Sequence, residues 1–562
     1  MPPKKITAAL SVASQVALDD VPGAVQAGFR TLISNRPDGE EPGQLSAAAM
    51  RHAALAAGLD FIHIPVVPGK IGESDISAFA AALEAAHGPV LAFCRTGTRS
   101  ASLWALSQAG KLPTEAILAA TAQAGYDLAA LAPRLAERAA TPANLPAVGG
   151  NIASARHDVV IVGGGSAGIA TAASLRRRNP TLDIAVIEPS GAHYYQPGWT
   201  MVGGGIFGQN STCRTEASVI PQGVGWIRAA VTRFRPENNE VELADGRVIG
   251  YRALVVAPGI TLDWDAIAGL PETLGRNGVT SNYSFKTAPY TWELVQQVKE
   301  GAALFTQPPM PIKCAGAPQK AMYLSCDHWR RQGRLGAIQP AFHNAGAVLF
   351  GVKEYVPPLM RYIAQYGIDL QLESRLVAVD GPARRATFAG KGGEVTRDFA
   401  MLHVCPPQKA PSFLKDSPLS NAAGYVEVDE TTLRHVRYPN VFGLGDAAST
   451  SNAKTAAAVR QQAPVVAVNL LNTLAGGVPQ AGYDGYGSCP LTVERGKILL
   501  AEFGYGGKLL PTFPKWLIDG EKPQRLSWWL KSEILPMVYW NGMLKGREWL
   551  AAPKPRAPAK AA

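Results

Sequence analysis

The chain has 562 residues, of which 47% are hydrophobic and 17% charged, so it is too apolar for a disordered protein and long enough for roughly three or four compact units. Its formal net charge of +10 suits an anionic partner, but the basic residues are dispersed and we predict no nucleic-acid partner. Because no apolar run reaches the about 18 residues of a membrane span and the first residues lack a secretory signal, we expect a cytoplasmic protein.

The first 140 residues alternate apolar runs with alanine-rich stretches, which is the pattern of an α/β domain. The pattern predicts strands at residues 31–34, 61–67 and 89–93 and helices at residues 46–57, 76–86 and about 126–140. Residues 141–156 follow as a predicted linker, because they are rich in Pro and Gly and show no periodicity.

A reactive thiol is predicted at Cys94, where the third of these strands runs into the loop Cys94-Arg-Thr-Gly-Thr-Arg99 before a helix. Such a loop turns its backbone N–H groups toward the sulfur, and together with Arg99 it lowers the thiol pKa and binds an anion. Cys94 and Arg99 are therefore candidate catalytic residues. Asp38 is either a general acid for phosphate-ester hydrolysis or a turn residue.

This N-terminal part resembles a phosphatase-like family found beside metallo-β-lactamase-type hydrolases, through the segment Asn35–Gln44 and the Cys94 loop. The four residues between Cys94 and Arg99 are as in rhodanese-type sulfurtransferase loops, whereas tyrosine phosphatases have five. The resemblance leaves sulfur transfer and phosphatase activity both open.

A second unit begins with a dinucleotide-binding pattern, in which a predicted strand leads into the run Gly163–Gly168 and then a helix. Gly163 permits the tight turn, Gly165 lets the backbone approach a pyrophosphate, and Gly168 allows the helix to pack closely on the strand. Glu188 ends the next strand, where a carboxylate accepts hydrogen bonds from ribose hydroxyls. These features predict a bound dinucleotide.

Gly445 and Asp446 follow a later strand and resemble the second signature of the flavoproteins with two dinucleotide-binding domains, which implies FAD. The region between the signatures, about residues 265–400, is the expected second Rossmann-like insert. A second glycine-rich turn should follow its strand at residues 302–305 if NAD(P)H were the reductant, but prolines and Cys314 stand there instead. Direct use of nicotinamide is therefore not expected.

Six cysteines in so long a chain argue against a disulfide framework, and the lack of a Cys-x-x-Cys pair argues against a zinc ribbon or an iron–sulfur cluster, so we expect no metal. Cys314 and Cys489 are 175 residues apart, and their Gly/Pro-rich surroundings are typical of exposed loops. Lys313 is a candidate to stabilise a thiolate at Cys314. Cys326 and Cys405 are predicted to be buried structural residues.

From residue 157 to about 550 the chain resembles the sulfide:quinone oxidoreductases, in the branch that includes the mitochondrial enzyme. The segments that carry the resemblance are Val162–Gly168, His193–Pro197, Ala217–Pro221, Lys313–Lys320, Lys454–Val459 and Ser488–Pro490. The resemblance implies a redox centre at Cys314 and Cys489. The FAD contacts that it implies are Ser166, Ala167, Glu188, Gln196, Val231, Asp446, Lys454, Thr455, Ala456 and Ala457.

The same resemblance implies that HS⁻ attacks a Cys314–Cys489 disulfide, or a sulfur-bridged form of it, and leaves a persulfide on Cys489. The Cys314 thiolate then reduces the flavin, quinone (ubiquinone is expected) takes the electrons, and a small thiol, sulfite or cyanide takes the sulfur. Lys320 and Lys454 either hold negative charge on sulfide or flavin or are solvated surface residues.

The C-terminal part, residues 511–562, is predicted to meet a membrane surface, because residues 525–547 mix Trp, Tyr and Leu with Lys and Arg. Pro536 is expected to split this stretch into two short helices. The alternative is a lid packed on the protein's own core. If the stretch does meet lipid, the protein associates peripherally with the inner face of the cell membrane; a homo-oligomer is also an open expectation.

The sequence thus predicts an α/β flavoprotein with a phosphatase/rhodanese-like domain at residues 1–140, a tandem Rossmann-like oxidoreductase at 157–510 and a membrane-associating segment. The fusion favours sulfur transfer for the N-terminal domain, because a module that accepts persulfide sulfur fits beside one that makes it. The rival class is a soluble NAD(P)H-linked flavin disulfide reductase fused to a protein-tyrosine-phosphatase-like domain. A non-enzymatic binding protein is a third alternative.

Overall fold

The computed structural model describes residues 3–140 and 155–556, apart from residues 42, 70, 85, 87 and 111. The chain divides into two compact units, Met1–Gly149 and Gly150–Ala562. The predicted linker, residues 141–156, lies outside the described residues except for its last two.

The first unit is built on a five-stranded sheet with helices between its strands, as expected for an α/β domain. In spatial order the strands are Lys4–Lys5, Leu10–Ala13, Val90–Phe93, Thr31–Ser34 and Asp60–His63. Only the first pair of strands is antiparallel. The helices are Val21–Gln26, Ala47–Ala56, Glu73–Glu84, Thr98–Gln108, Thr114–Gln123 and Ala132–Ala140.

The helix predicted at residues 46–57 is confirmed at Ala47–Ala56, where the Ser46 hydroxyl accepts a hydrogen bond from the Ala49 N–H at 3.2 Å. The strand predicted at residues 61–67 ends instead at His63. Pro65 explains the difference, because proline has no N–H to donate to a sheet.

The second unit begins with a largely parallel sheet whose core contains the helices Ser166–Arg178 and Ala456–Leu474. In spatial order its strands are Gly225–Ile227, Ile184–Ile187, Ala155–Val162, Val248–Val256, Glu240–Leu243 and Val231–Arg235, and Val441–Gly443 pairs with the fourth of these. Three parallel strands end at Val162, Ile187 and Gly443, just before Gly163, Glu188 and Gly445, so the predicted dinucleotide residues meet at one edge of the sheet.

A second parallel sheet forms the expected insert. Its strands in spatial order are Val279–Thr280, Met401–His403, Gly301–Gln307, Ile338–Asn344 and Asp369–Leu372, and its helices are Ala288–Gln297, Ala317–Arg331 and Val356–Gln365. An antiparallel sheet of Arg375–Asp380, Arg385–Gly390 and Gly393–Asp398 completes the insert. The loop between Gln307 and Ala317 carries Cys314, and this loop replaces a glycine-rich turn.

An antiparallel hairpin of Gly487–Glu494 and Lys497–Phe503 packs against the insert and brings Cys489 toward it. The smaller strand pairs are Ala192–Tyr194 with Cys213–Thr215, Thr261–Leu262 with Gln408–Lys409, and Ala481–Gly482 with Lys554–Pro555. Short helices lie at Trp199–Gly203, Glu216–Val219 and Ser412–Lys415.

The C-terminal segment, which starts at residue 511, contains one continuous helical run from Arg525 to Lys545, so the expectation that Pro536 splits this stretch is wrong. The turns on both sides of Pro536, Leu530–Ile534 and Val538–Gly542, are wider π-helical turns. Such turns shift the carbonyl that would otherwise clash with the proline ring. Within the described residues, no helix is both long and apolar enough to cross a bilayer.

Candidate active site

A cavity of about 590 Å³ lies in the second unit. It opens at the carboxyl edge of the largely parallel sheet that begins this unit, and it extends to the insert and the C-terminal segment. Most of the residues that the sequence singles out for a dinucleotide lie on its wall. These are Gly163, Gly165, Ser166, Ala167, Glu188, Gln196, Asp446, Lys454, Thr455, Ala456 and Ala457. Cys314 lies on the same wall, so one cavity joins the dinucleotide turn to a candidate redox cysteine.

Two predicted contacts lie off this wall. A Cβ on Gly168 would sit 1.8 Å from the Gly163 carbonyl oxygen, so Gly168 is needed for the packing of helix on turn. Val231 packs into the sheet core beside Val160 and Val162, which leaves only its backbone for a ligand. A contact between Val231 and FAD therefore stays a prediction.

The dinucleotide turn has the shape of a phosphate cradle. Gly163 adopts a φ of +105°, and a Cβ added to Gly165 would meet nothing within 4 Å. The Gly164 N–H donates to a Glu188 carboxylate oxygen at 2.8 Å, which fixes the acid beside the turn. The open position at Gly165, at the start of a 13-residue helix, fits a pyrophosphate.

Buried polar atoms elsewhere on the cavity wall lack a hydrogen-bond partner that a ligand could supply. The Trp199 indole N–H, the Thr200 hydroxyl and both amide atoms of Asn282 make no hydrogen bond within the described part of the chain. Buried polar groups in native proteins are nearly always paired. These residues therefore fit a bound molecule with several polar atoms, as a flavin dinucleotide is.

Cys314 and Cys489 come together although they are distant in sequence, with 3.8 Å between their sulfur atoms. Cys314 lies in a loop with a φ of +48°, and its N–H donates to the Lys454 carbonyl at 2.8 Å. The expectation of an exposed loop is wrong for Cys489, which is buried on the strand Gly487–Glu494 opposite Ala501. Sheet pairing overrides the local Gly and Pro residues there.

The pair is polarised, with negative charge on Cys314. A hydrogen bond from Cys489 and the nearby Lys320 ammonium hold the pKa of Cys314 well below its usual value, although burial opposes this. The same hydrogen bond and burial raise the pKa of Cys489. The site therefore holds a Cys314 thiolate that accepts a hydrogen bond from the Cys489 thiol.

Lys320, rather than Lys313, is the cation at this thiolate. Its Nζ lies 3.2 Å from the Cys314 sulfur, whereas the Lys313 Nζ donates to the Gln196 side chain at 2.7 Å. Lys320 is 2% exposed, and Lys454 is also buried, with its Nζ on the carbonyls of Asp446 and Ala448. The alternative of solvated surface lysines is therefore wrong for both.

Lys531 reaches the same place from the C-terminal segment, and sequence reasoning did not single it out. It is 2% exposed, and its Nζ donates to the Pro197 carbonyl at 3.0 Å. Burial, with the neighbouring Lys320, lowers the pKa of Lys531 to about 7. The only sign in the sequence is a lysine between tryptophans and leucines, a pattern that equally describes a membrane surface.

The C-terminal segment is bound to the dinucleotide turn by a buried hydrogen-bond chain. The Tyr539 hydroxyl lies 2.7 Å from both the Ser166 hydroxyl and His193 Nε2. His193 Nδ1 in turn donates to the Gly164 carbonyl of the turn at 3.0 Å, and it lies 3.4 Å from a Glu216 carboxylate oxygen. Tyr539 and Trp540 are buried in the core beside the largely parallel sheet of the second unit. The face of the C-terminal segment that carries these side chains is therefore a lid over the cavity.

In the first unit, Cys94 is buried at the end of its strand, and its sulfur accepts a hydrogen bond from the Gly97 N–H at 3.1 Å. The Arg99 guanidinium donates to Glu40 at 2.9 Å and to the Val66 carbonyl at 2.7 Å. Arg99 is thus neutralised by a carboxylate. The Asp38 carboxylate accepts from the Ala47 N–H at the start of a helix, which is the turn role.

Comparison with known proteins decides the family. Residues 157–291 match the family model described as pyridine nucleotide-disulphide oxidoreductase. A relative from Dictyostelium discoideum, named sulfide:quinone oxidoreductase, mitochondrial, is 43% identical over 392 residues, which are 69% of this chain and 86% of that protein. The chain belongs to the sulfide:quinone oxidoreductase family. The family resemblance drawn from the sequence is confirmed.

A solved sulfide:quinone oxidoreductase from Aquifex aeolicus shares the fold of this family member, with a TM-score of 0.59 at 18% identity over 70% of this chain and 92% of that one. Residues 4–111 match the family model described as beta-lactamase hydrolase-like protein, phosphatase-like domain. A beta-lactamase hydrolase-like protein from Agrobacterium fabrum is 40% identical over 128 residues, which are 22% of this chain and 30% of that protein.

Replacing Lys320 by Met tests which cation stabilises the thiolate. Because an ammonium 3.2 Å away favours the charged sulfur, its loss should raise the pKa of Cys314 by about one unit or more. The measurement is the pH dependence of Cys314 alkylation in the reduced protein, read by peptide mass. Lys313→Met is the control and should shift the midpoint less; equal shifts, or none for Lys320→Met, would contradict the assignment.

Proposed function

We propose that this family member oxidises hydrogen sulfide and passes the electrons through FAD to a quinone. The observation that carries the proposal is the polarised pair of Cys314 and Cys489, 3.8 Å apart, of which Cys314 lines the same cavity as the dinucleotide turn. The sulfide:quinone oxidoreductases are flavoproteins, and the open position at Gly165 fits the cofactor.

Bound FAD would supply a two-electron acceptor beside the cysteines. We expect the turn Gly163–Ala167 to bind its pyrophosphate, and Glu188 to accept from a ribose hydroxyl. Asp446, whose pKa burial raises, is placed on the same wall near Lys454 and is the expected partner of the ribityl chain. The N-terminus of the helix Ala456–Leu474 adds a positive dipole there.

The cysteine pair would take sulfur from sulfide in its bridged form. Attack by HS⁻ breaks a bridge bond, forms a sulfur–sulfur bond on Cys489 and releases Cys314 as a thiolate next to Lys320. An acceptor then removes the outer sulfur, and closing the bridge again releases two electrons. With sulfite as the acceptor, HS⁻ and SO₃²⁻ give thiosulfate, one proton and two electrons. The buried Lys320 and Lys531 make the site favourable for anions.

A quinone acceptor requires contact with lipid, and the outer face of the C-terminal segment supports this. Trp529 is 54% exposed and Trp516 is 84% exposed, while Leu526 and Met537 also face solvent. Exposed tryptophans beside basic residues are typical of a membrane interface. We propose peripheral attachment to the inner face of the cell membrane through this surface, which consists of Trp516, Leu526, Trp529 and Met537.

For the first unit we propose sulfur transfer at Cys94. A buried thiol that accepts a backbone N–H is suited to hold a persulfide, and the neutralisation of Arg99 by Glu40 weakens its attraction for a doubly charged phosphate ester. The hydrogen bond that the Asp38 carboxylate accepts from the Ala47 N–H also makes Asp38 a weaker candidate for the general acid of a phosphatase.

Anaerobic mixing with sulfide tests the main proposal. The flavin absorption band of the wild-type protein should bleach with sulfide and not with NADPH, because the insert has no glycine-rich turn. The Cys314→Ser variant should retain bound flavin, but its rate of bleaching by sulfide should fall at least about 100-fold, because the thiolate next to the cofactor is gone. Cys326→Ser is the control and should behave as wild type.

The rival, a soluble NAD(P)H-linked disulfide reductase, predicts the opposite result. Bleaching by NADPH at the rate of turnover, without bleaching by sulfide, would establish it. A colourless purified protein that takes up no FAD would favour a binding role instead.

Trp529→Glu tests the membrane surface. The bound fraction on anionic vesicles should fall several-fold, because a carboxylate replaces an aromatic ring at headgroup depth, while sulfide bleaching stays unchanged. Val395→Glu, at an equally exposed apolar position on the antiparallel sheet of the insert, is the matched control. Equal vesicle binding by all three proteins would exclude this surface.

Cys94→Ser separates the two activities open to the first unit. Transfer of sulfane sulfur from thiosulfate or a persulfide should be abolished, because the sulfur carrier is lost, while the flavin is still bleached by sulfide. Cys213→Ser serves as the control. Loss of phosphate-ester hydrolysis alone would establish the phosphatase alternative.

A further inference from the structure

One part of the cavity is not used by the sulfur chemistry. It lies between the hairpin and the C-terminal segment, and its wall is mainly apolar. The apolar side chains there are Pro490, Leu500, Phe513, Ile534, Leu535 and Val538. Three polar residues interrupt this surface, namely Tyr486, Glu502 and Thr512. We call these three the Glu502 cluster.

Glu502 is a buried carboxylate, 5% exposed, on the strand Lys497–Phe503. One carboxylate oxygen accepts from the Tyr486 hydroxyl at 2.6 Å and from the Thr512 hydroxyl, and the other accepts from the Thr512 N–H at 3.1 Å. Within the described part of the chain it forms no ion pair with a lysine or arginine. Its partners are therefore neutral groups.

The position of Glu502 differs from that of Glu494, the other buried carboxylate of the hairpin. Glu494 forms ion pairs with Lys497 and Arg330 and does not line the cavity. A buried carboxylate without a cation is costly unless hydrogen bonds compensate, and at Glu502 three hydrogen bonds do so. The hairpin thus keeps a proton-binding group at the cavity wall.

The Glu502 cluster also connects the cavity with solvent. Thr512 is partly exposed and precedes the loop to Pro514, while Tyr486 is buried and faces the cavity. The two hydroxyls lie 3.1 Å apart, and both donate to the same carboxylate oxygen. Three exchangeable groups in hydrogen-bond contact form a path for a proton from water to the cavity.

We propose that Glu502 supplies a proton to the quinone headgroup; this inference rests on the proposed function. Reduction of a quinone to a hydroquinone consumes two electrons and two protons. Bound FAD, once reduced, would supply the electrons and one proton. For the second proton, water first protonates the Glu502 carboxylate through the Thr512 hydroxyl. That proton then passes to the quinone oxygen, directly or through the Tyr486 hydroxyl, as the O–H bond forms, and Glu502 returns to its carboxylate form.

The test measures reoxidation of the flavin apart from its reduction by sulfide. Wild type and Glu502→Gln are first reduced with dithionite and then mixed with a short-chain ubiquinone or with ferricyanide, which accepts electrons without protons. Glu502→Gln should slow reoxidation by the quinone about 100-fold and leave reoxidation by ferricyanide within about twofold. Glu494→Gln, the matched control, should leave both rates unchanged.

Two further measurements distinguish proton delivery from support of the fold. Equilibrium binding of a redox-inert quinone analogue to Glu502→Gln should stay within about threefold of wild type, and the solvent deuterium effect on reoxidation by the quinone should increase. Tyr486→Phe, which keeps the ring packing, should slow reoxidation by the quinone in the same direction and covers the case in which Glu502→Gln fails to fold.

Equal slowing with quinone and ferricyanide, or quinone reoxidation within about twofold of wild type in both variants, would overturn the inference. Failure of the proposed function would look different, because the wild-type flavin would then not be bleached by sulfide at all. The dithionite arm still reports on Glu502 in that case.

Discussion

A thiolate in a buried site depends on the groups that compensate its charge, and the active site of this family member is arranged around that requirement. Cys314 is stabilised by the Lys320 ammonium at 3.2 Å and by the Cys489 thiol at 3.8 Å. Without these two partners, burial would raise the pKa of Cys314 and remove the nucleophile. Lys531 lies close by, and because burial lowers its pKa to about 7 it adds only part of a positive charge at neutral pH.

Each partner of the thiolate is contributed by a different part of the second unit. The loop before the helix Ala317–Arg331 carries Cys314, that helix carries Lys320, the hairpin carries Cys489, and the C-terminal segment carries Lys531. The dinucleotide turn is connected to the same segment through Tyr539 and Ser166. The dinucleotide turn, the redox pair and the lid are therefore connected by direct contacts.

The local elements could be predicted from the sequence where a short pattern determines the backbone, as at the glycine turn and the Ser46-capped helix. The burial of Cys489 could not be predicted from such a local pattern, because it results from the pairing of Cys489 with Ala501 in the hairpin. Lys313 adjoins Cys314 in sequence, yet Lys320 is nearer in space, since one helical turn separates it from the loop. Lys531, Tyr539 and Glu502 become part of the site only through tertiary contacts.

The most direct test of the central claim is peptide mass mapping of the oxidised enzyme without reductant. The account predicts that the peptides containing Cys314 and Cys489 are recovered joined, through a direct disulfide or with extra sulfur between them, and that sulfide separates them with added sulfur on Cys489. Recovery of both cysteines as independent free thiols in enzyme whose flavin is still bleached by sulfide would contradict it.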